Sequence, residues 1–267
     1  MAQGQATAAV SPEETRVLAT TSNECLPGAR SIHEVTPQLA LNDFDGQGQT
    51  VAALSYSFSQ CIGSGRNRWF AEASVAHVRE DVFRAEAALV GLGLELRPFR
   101  NAPLLVLIPV VRVGRDDYRT GGGATVYNGA LTIASSVPLR LQTRNIGGRD
   151  ISIASSQFEW AARAEYTNRD LSRSLSVTPQ DTDAVTFFGS IALDQAVGRS
   201  NWRWKAALSY QTIGGNGPVD GIASLGLSAR IVNPAYTNYT WNFAIRGQLG
   251  DSGFSALLFA VSMRFGR

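Results

Sequence analysis

No stretch of this 267-residue sequence is long and apolar enough to cross a bilayer as a helix. Such a span takes about 18 consecutive apolar residues or more, and the most apolar run, Leu104 to Val111, is short and interrupted by Pro109. Charge is scarce as well. Asp, Glu, Lys and Arg make up 17% of the chain and leave a formal net charge of +2, so no basic stripe interleaved with aromatics is available to nucleic acid, and that class of partner is set aside. The two Cys and two His match no closed zinc pattern, so no metal site is expected. Gly91-Leu92-Gly93 and Gly121 to Gly123 are not phosphate loops, because neither leads from a strand into a helix with a following Lys. No cofactor is implied.

What the chain does have is alternation. From Tyr127 to Gln142 one phase reads Tyr127, Gly129, Leu131, Ile133, Ser135, Val137, Leu139, Leu141, and the other Asn128, Ala130, Thr132, Ala134, Ser136, Pro138, Arg140, Gln142. Trp202, Trp204, Ala206, Leu208 and Tyr210 alternate in the same way with Arg203, Lys205, Ala207, Ser209 and Gln211. Helical spacing would put Arg203 and Lys205 on the apolar side, so a strand is the consistent reading. The pattern predicts twelve strands near 33–42, 50–61, 68–78, 83–97, 103–113, 125–142, 150–167, 184–195, 201–212, 221–232, 239–249 and 253–265. Gly, Pro, Asn and Asp fill the gaps, as tight turns require. An even count of half-apolar strands fits an all-β transmembrane antiparallel up-and-down β-barrel over 33–267, with one phase on lipid and the other facing a polar lumen.

Aromatic residues sort by strand end. Trp69, Trp202 and Trp241 begin odd-numbered strands, while Phe58, Phe99 and Phe265 close even-numbered ones, so all six fall at one rim. Tyr127, Phe187 and Phe254 start even strands, and Tyr166 and Tyr210 end odd ones, which predicts a second girdle at the opposite rim. Aromatic belts at two water interfaces are what a bilayer selects.

Leu257, Phe259, Val261, Met263 and Phe265 alternate on one phase close to the end of the chain. This resembles the C-terminal signal of Gram-negative outer-membrane proteins, a final strand closing on Phe that their assembly machinery reads. In size the chain is similar to small porins, autotransporter translocators and outer-membrane phospholipases. The resemblance implies contact with membrane lipid and lipopolysaccharide, and termini in the periplasm. The Trp69 and Phe265 rim is then periplasmic, and loops 43–49, 114–124, 168–183 and 213–220 are extracellular. The chain opens Met-Ala-Gln-Gly-Gln, with neither a basic nor an apolar leader region; the expectation is a removed signal peptide rather than a cytoplasmic protein.

Opposite the lipid phase lie Glu72, Glu86, Arg112, Arg140, Glu159, Arg163, Glu165, Asp194, Arg203, Lys205, Arg230, Arg246 and Arg264. The bilayer alone demands this, since a charge at the lipid midplane costs roughly 2–4 kcal/mol. Two readings stay open: ion pairs that fill a narrow barrel, or the wall of a channel for transport. Arg203, Lys205, Arg230, Arg246 and Arg264 face few acids on their own strands, which would favour small anionic solutes. A passive channel is therefore preferred to an enzyme, with a structural or secretion-associated barrel with a plugged lumen as the alternative. A hydrolase would need a Ser nucleophile beside His77, and none is placed there. Residues 1–32 show no alternation. Ser11-Pro12-Glu13-Glu14 starts a helix well, and this segment either hangs in the periplasm, enters the lumen or serves as a linker. Cys25 and Cys61 flank the first hairpin at one rim, and an oxidising periplasm predicts a disulfide between them.

Overall fold

Side chains that alternate at period two give each strand two unlike faces, and a sheet of such strands that closes on itself puts one face outside and the other inside with no edge left open. The computed structural model describes residues 31–44, 46–62, 67–80, 84–98, 105–118, 122–146, 149–170, 182–198, 200–214, 221–232, 240–251 and 253–266. Twelve strands run through them: β1 (Ser31–Phe44), β2 (Gln47–Ile62), β3 (Asn67–Glu80), β4 (Arg84–Glu95), β5 (Val106–Tyr118), β6 (Gly123–Ile146), β7 (Arg149–Asp170), β8 (Thr182–Ala196), β9 (Trp202–Gly214), β10 (Gly221–Val232), β11 (Thr240–Gly250) and β12 (Phe254–Gly266). Each pairs with its neighbour in sequence, and β1 pairs with β12 to close the barrel. That seam runs antiparallel from Ile32 opposite Gly266 to Phe44 opposite Phe254.

Both described ends of the chain therefore lie at one rim, called here the terminal rim; the other is the far rim. At the far rim Gly46 and Gly253 turn the chain with φ of +84° and +73°, which glycine adopts without a Cβ penalty. The predicted helix near residues 11–21, Phe99 and most of the 168–183 loop lie outside the described residues.

Burial alternates as the two faces require. In β12, Ala256, Leu258, Ala260 and Ser262 are buried toward the interior, while Leu257 and Phe259 are exposed on the outward face. Two apolar clusters line the interior. One joins Ala40, Val51, Val78, Ala85, Leu258 and Ala260 around the seam; the other joins Phe70, Val106, Ile108, Val110, Ala134 and Ala161. The tip of the Phe70 ring lies over Gly93, where an added Cβ would sit 2.2 Å from Cζ.

Several expected loops are strand. Gly114 to Tyr118 reads as a turn by composition, yet it pairs with Ala85 to Leu89 of β4. The stretch Thr143 to Arg149, expected as a terminal-rim turn, mostly extends β6 and β7. Pairing of β6 with β5 stops at Ala134 opposite Val106, and that of β7 with β8 starts at Ser156 opposite Gln195. Beyond those points, among the described residues, the two strands pair only with each other, through a register irregularity between Pro138 and Leu141. They form a two-stranded arm past the terminal rim.

Gly93→Val should lower stability by roughly 1–3 kcal/mol, because a branched side chain must displace the buried Phe70 ring. Urea unfolding midpoints in detergent, with Gly93→Val compared against Gly129→Val, check this. A Cβ at Gly129 meets nothing within 4 Å, so that variant should stay near the parent.

Candidate functional site

The inner wall carries a polar network that crosses strand after strand. Glu72 of β3 and Arg112 of β5 pair at 2.6 Å, although β4 lies between them. Gly91 makes this possible: a Cβ there would come within 2.9 Å of Arg112 Cγ and 3.1 Å of Glu72 Cγ. Arg112 also donates through Nη1 to Asn128 Oδ1 at 2.6 Å. Asn128 Nδ2 in turn donates to Glu165 Oε1 at 2.7 Å and Thr167 Oγ1 at 2.8 Å. Arg163 lies 3.1 Å from Glu165 Oε2 and places its guanidinium 5.5 Å from the centre of the Phe188 ring. Asn128 and Thr167 are members that charge counting passes over, although Asn128 shares the inward phase of β6.

A second group sits on β7 to β10. Lys205 donates to Glu159 across β8, and Gln157 donates to the other Glu159 oxygen at 2.8 Å. Asp194 accepts from Arg203 Nε at 2.6 Å and from Arg230 Nη2 at 2.8 Å. Arg203 Nη1 reaches the Ala154 carbonyl at 2.8 Å. The cations of β9 and β10 are thus matched by acids from β7 and β8, which a count restricted to their own strands leaves out. Arg246 is buried on the same phase, and Arg264 stands opposite Glu34 in register.

Three expected positions differ. Arg140 is exposed on β6, past Ala134, where the pairing of β6 with β5 stops. Glu86 faces outward with its side chain 79% exposed, 3.8 Å from His77. It lies near the far-rim end of β4, where a charge on the outer face is cheap because that cost falls toward the interface. Phe254 is buried on the inward phase of β12 rather than exposed in a girdle.

Trp202, Trp241, Tyr127, Phe187, Tyr166 and Tyr210 are exposed on the outward phase, and Trp69, Phe58 and Phe265 share it. At the seam, His33 stacks on Phe265 with ring centres 5.2 Å apart, lies 5.1 Å from Phe58 and shares a 2.8 Å hydrogen bond with Tyr56. Phe58 meets Trp69 edge-on at 5.3 Å. His33 thus ties the first two strands to the last through an aromatic clasp that sequence patterning did not single out. His77 stands opposite Ala52 and Glu86, so no hydroxyl nucleophile is adjacent in register. Cys61 shares the inward phase of Ser55, Ser57 and Ser59, 3.8 Å from Arg68 Nη2; Cys25 lies outside the described residues.

No family model and no curated protein matches the chain. Solved structures do. The β domain of the Bordetella autotransporter BrkA matches with a TM-score of 0.64 at 12% identity, over 88% of this chain and 99% of that one. The transport unit of the autotransporter AIDA-I from Escherichia coli matches at 0.59 and 10%, over 96% and 97%. An outer-membrane channel from Pseudomonas putida F1 matches at 0.60 and 11%, over 91% and 98%. The fold is that of outer-membrane β-barrels, closed with twelve antiparallel strands.

Lys205→Met alone should cost about 3–5 kcal/mol by stranding the buried Glu159 carboxylate, whereas Lys205→Met with Glu159→Leu should recover most of it. Chemical denaturation of the folded barrel measures both. Equal losses in the single and double variants would show that the pair is not coupled.

Proposed function

We propose that this protein is an outer-membrane channel for small polar solutes, with its termini in the periplasm and a lumen that is closed at rest. The observation that carries the reading is the division of the wall: most outward positions are apolar and exposed, and inward positions carry polar groups paired across strands, in separate clusters from Glu72 to Arg230. Channels among the structures of like fold agree with it. Contact with lipid and lipopolysaccharide on the outer face, and delivery by the assembly machinery through Phe265, belong to the same reading. Because acids match most of the cations, the selectivity expected is a mild anion preference that fades as salt screens the wall.

Closure at rest is suggested by burial. Asp194 and Thr132 are each only 1% exposed although they point into the barrel, and the described chain begins at the terminal rim with Ser31. A Cys25–Cys61 disulfide would hold the N-terminal segment at the lumen's mouth and, by closing a loop of about 35 residues, would stabilise the barrel by roughly 3–4 kcal/mol in the chain-entropy model. A permanently plugged barrel with a structural or secretion role is the second reading, favoured by the same burial.

Planar-bilayer recording separates the two. The channel reading expects rare discrete steps from the full chain and a marked rise in open events when residues 1–24 are deleted; silence from both proteins would leave the plugged barrel. Mass spectrometry of unreduced peptides tests the disulfide, with one Cys25–Cys61 linked species expected and two free thiols under oxidising refolding as the contrary result.

A further inference from the structure

The outward face at the far end of β3 and β4 changes character within two residue pairs. From the apolar band upward, the paired outward positions are Ala73 with Val90, Val75 with Ala88, His77 with Glu86, and finally Arg79 with Arg84. On β5 the sequence is the same in kind, with Val113 opposite Val90, Arg115 opposite Ala88 and Asp117 opposite Glu86. A charged collar thus sits directly above exposed Val75, Val90 and Val113.

Each acid of the collar has a basic neighbour on its own face. Glu86 stands 3.8 Å from His77, and Asp117 accepts from Arg115 Nε at 2.7 Å. Arg79 and Arg84 have no carboxylate partner among the described residues, yet they are directly opposed across the ladder. Like charges in that relation repel, and their Cβ atoms lie only about 5 Å apart. An anion between them converts the repulsion into a two-pronged clamp, and guanidinium forks match phosphate oxygens bidentately.

We propose that Arg79 and Arg84 form a binding site for the phosphate of a lipid headgroup in the leaflet at the far rim, with exposed Thr50, opposite Arg79, beside it. The site rests on the membrane reading above. A lipid source fits rather than free phosphate because the pair lies on the outward face, immediately above side chains suited to acyl chains. Under the proposed orientation that lipid is a phosphorylated glycolipid of the outer leaflet.

Native mass spectrometry of the full-length barrel in detergent tests this, with three probes added separately at equal concentration: diphosphoryl lipid A, its dephosphorylated form, and inorganic phosphate. The parent should retain the diphosphoryl lipid about tenfold more than Arg79→Gln/Arg84→Gln does, with no difference between the proteins for the dephosphorylated form. Equal retention of the diphosphoryl lipid by both proteins overturns the site. Retention of inorganic phosphate equal to that of the lipid overturns the headgroup assignment. Heat-modifiable gel mobility is read on both proteins first: a parent without it refutes the membrane reading itself, while two folded barrels with equal lipid retention refute only the clamp. Arg79→Lys/Arg84→Lys, which keeps the charge and loses the fork, should fall between the two.

Discussion

Closure of the sheet is the constraint on which everything else here depends. An open twelve-stranded sheet would leave two rows of backbone N–H and C=O groups without partners, and in hydrocarbon each would cost several kcal/mol. Pairing of β1 with β12 removes both edges. The seam is secured on both of its faces. Its inner side holds the Ala40, Val51 and Leu258 cluster, and its outer side holds the His33 clasp on Phe265 and Phe58. The terminal Phe that resembles an assembly signal is thus also part of the lock that closes the finished barrel.

Once the sheet is closed, every strand has an inside, and charge has to be settled there. The wall does this by reaching over strands rather than along them. Glu72 reaches Arg112 because Gly91 leaves the space, and Lys205 reaches Glu159 past β8. Such pairs repay more of their desolvation as their remaining polar atoms are also bonded; Asn128, Gln157 and the Ala154 carbonyl supply part of this, while Glu72 Oε2 has no hydrogen-bond partner among the described residues. The interior is consequently close to neutral locally, and any preference for anions rests on long-range field rather than on a row of bare cations.

Much of this was legible in the sequence because period two is an unambiguous signal where one face is apolar and the other is not. β6, β9 and β12 are of that kind, and their phases and the barrel class follow directly. The signal weakens where both phases are apolar. In β4, Ala85, Leu89 and Gly91 oppose Ala88, Val90 and Leu92, so the rule that charge points inward assigned Glu86 to the wrong face. Composition misled in a different way at Gly114 to Tyr118 and at Thr143 to Arg149, where turn-forming residues are held in strands by a partner the local sequence does not reveal. Ion pairs inside the barrel were one reading of the sequence, but which charges pair was not legible, for a topological reason: the partners are separated by up to 46 residues, and only the register of the closed sheet brings them together. The opposed Arg79 and Arg84 belong to the same class of fact.

The central claim is that successive residues of one wall alternate between lipid and interior. Site-directed spin labelling along β12 in liposomes, on a background with Cys25 and Cys61 replaced by Ser, measures it directly. Labels at Leu257, Phe259 and Val261 should show high accessibility to oxygen, with labels at Ala256, Leu258 and Ala260 low, in strict alternation. Uniform accessibility along the strand, or a period near 3.6 residues, would contradict the barrel.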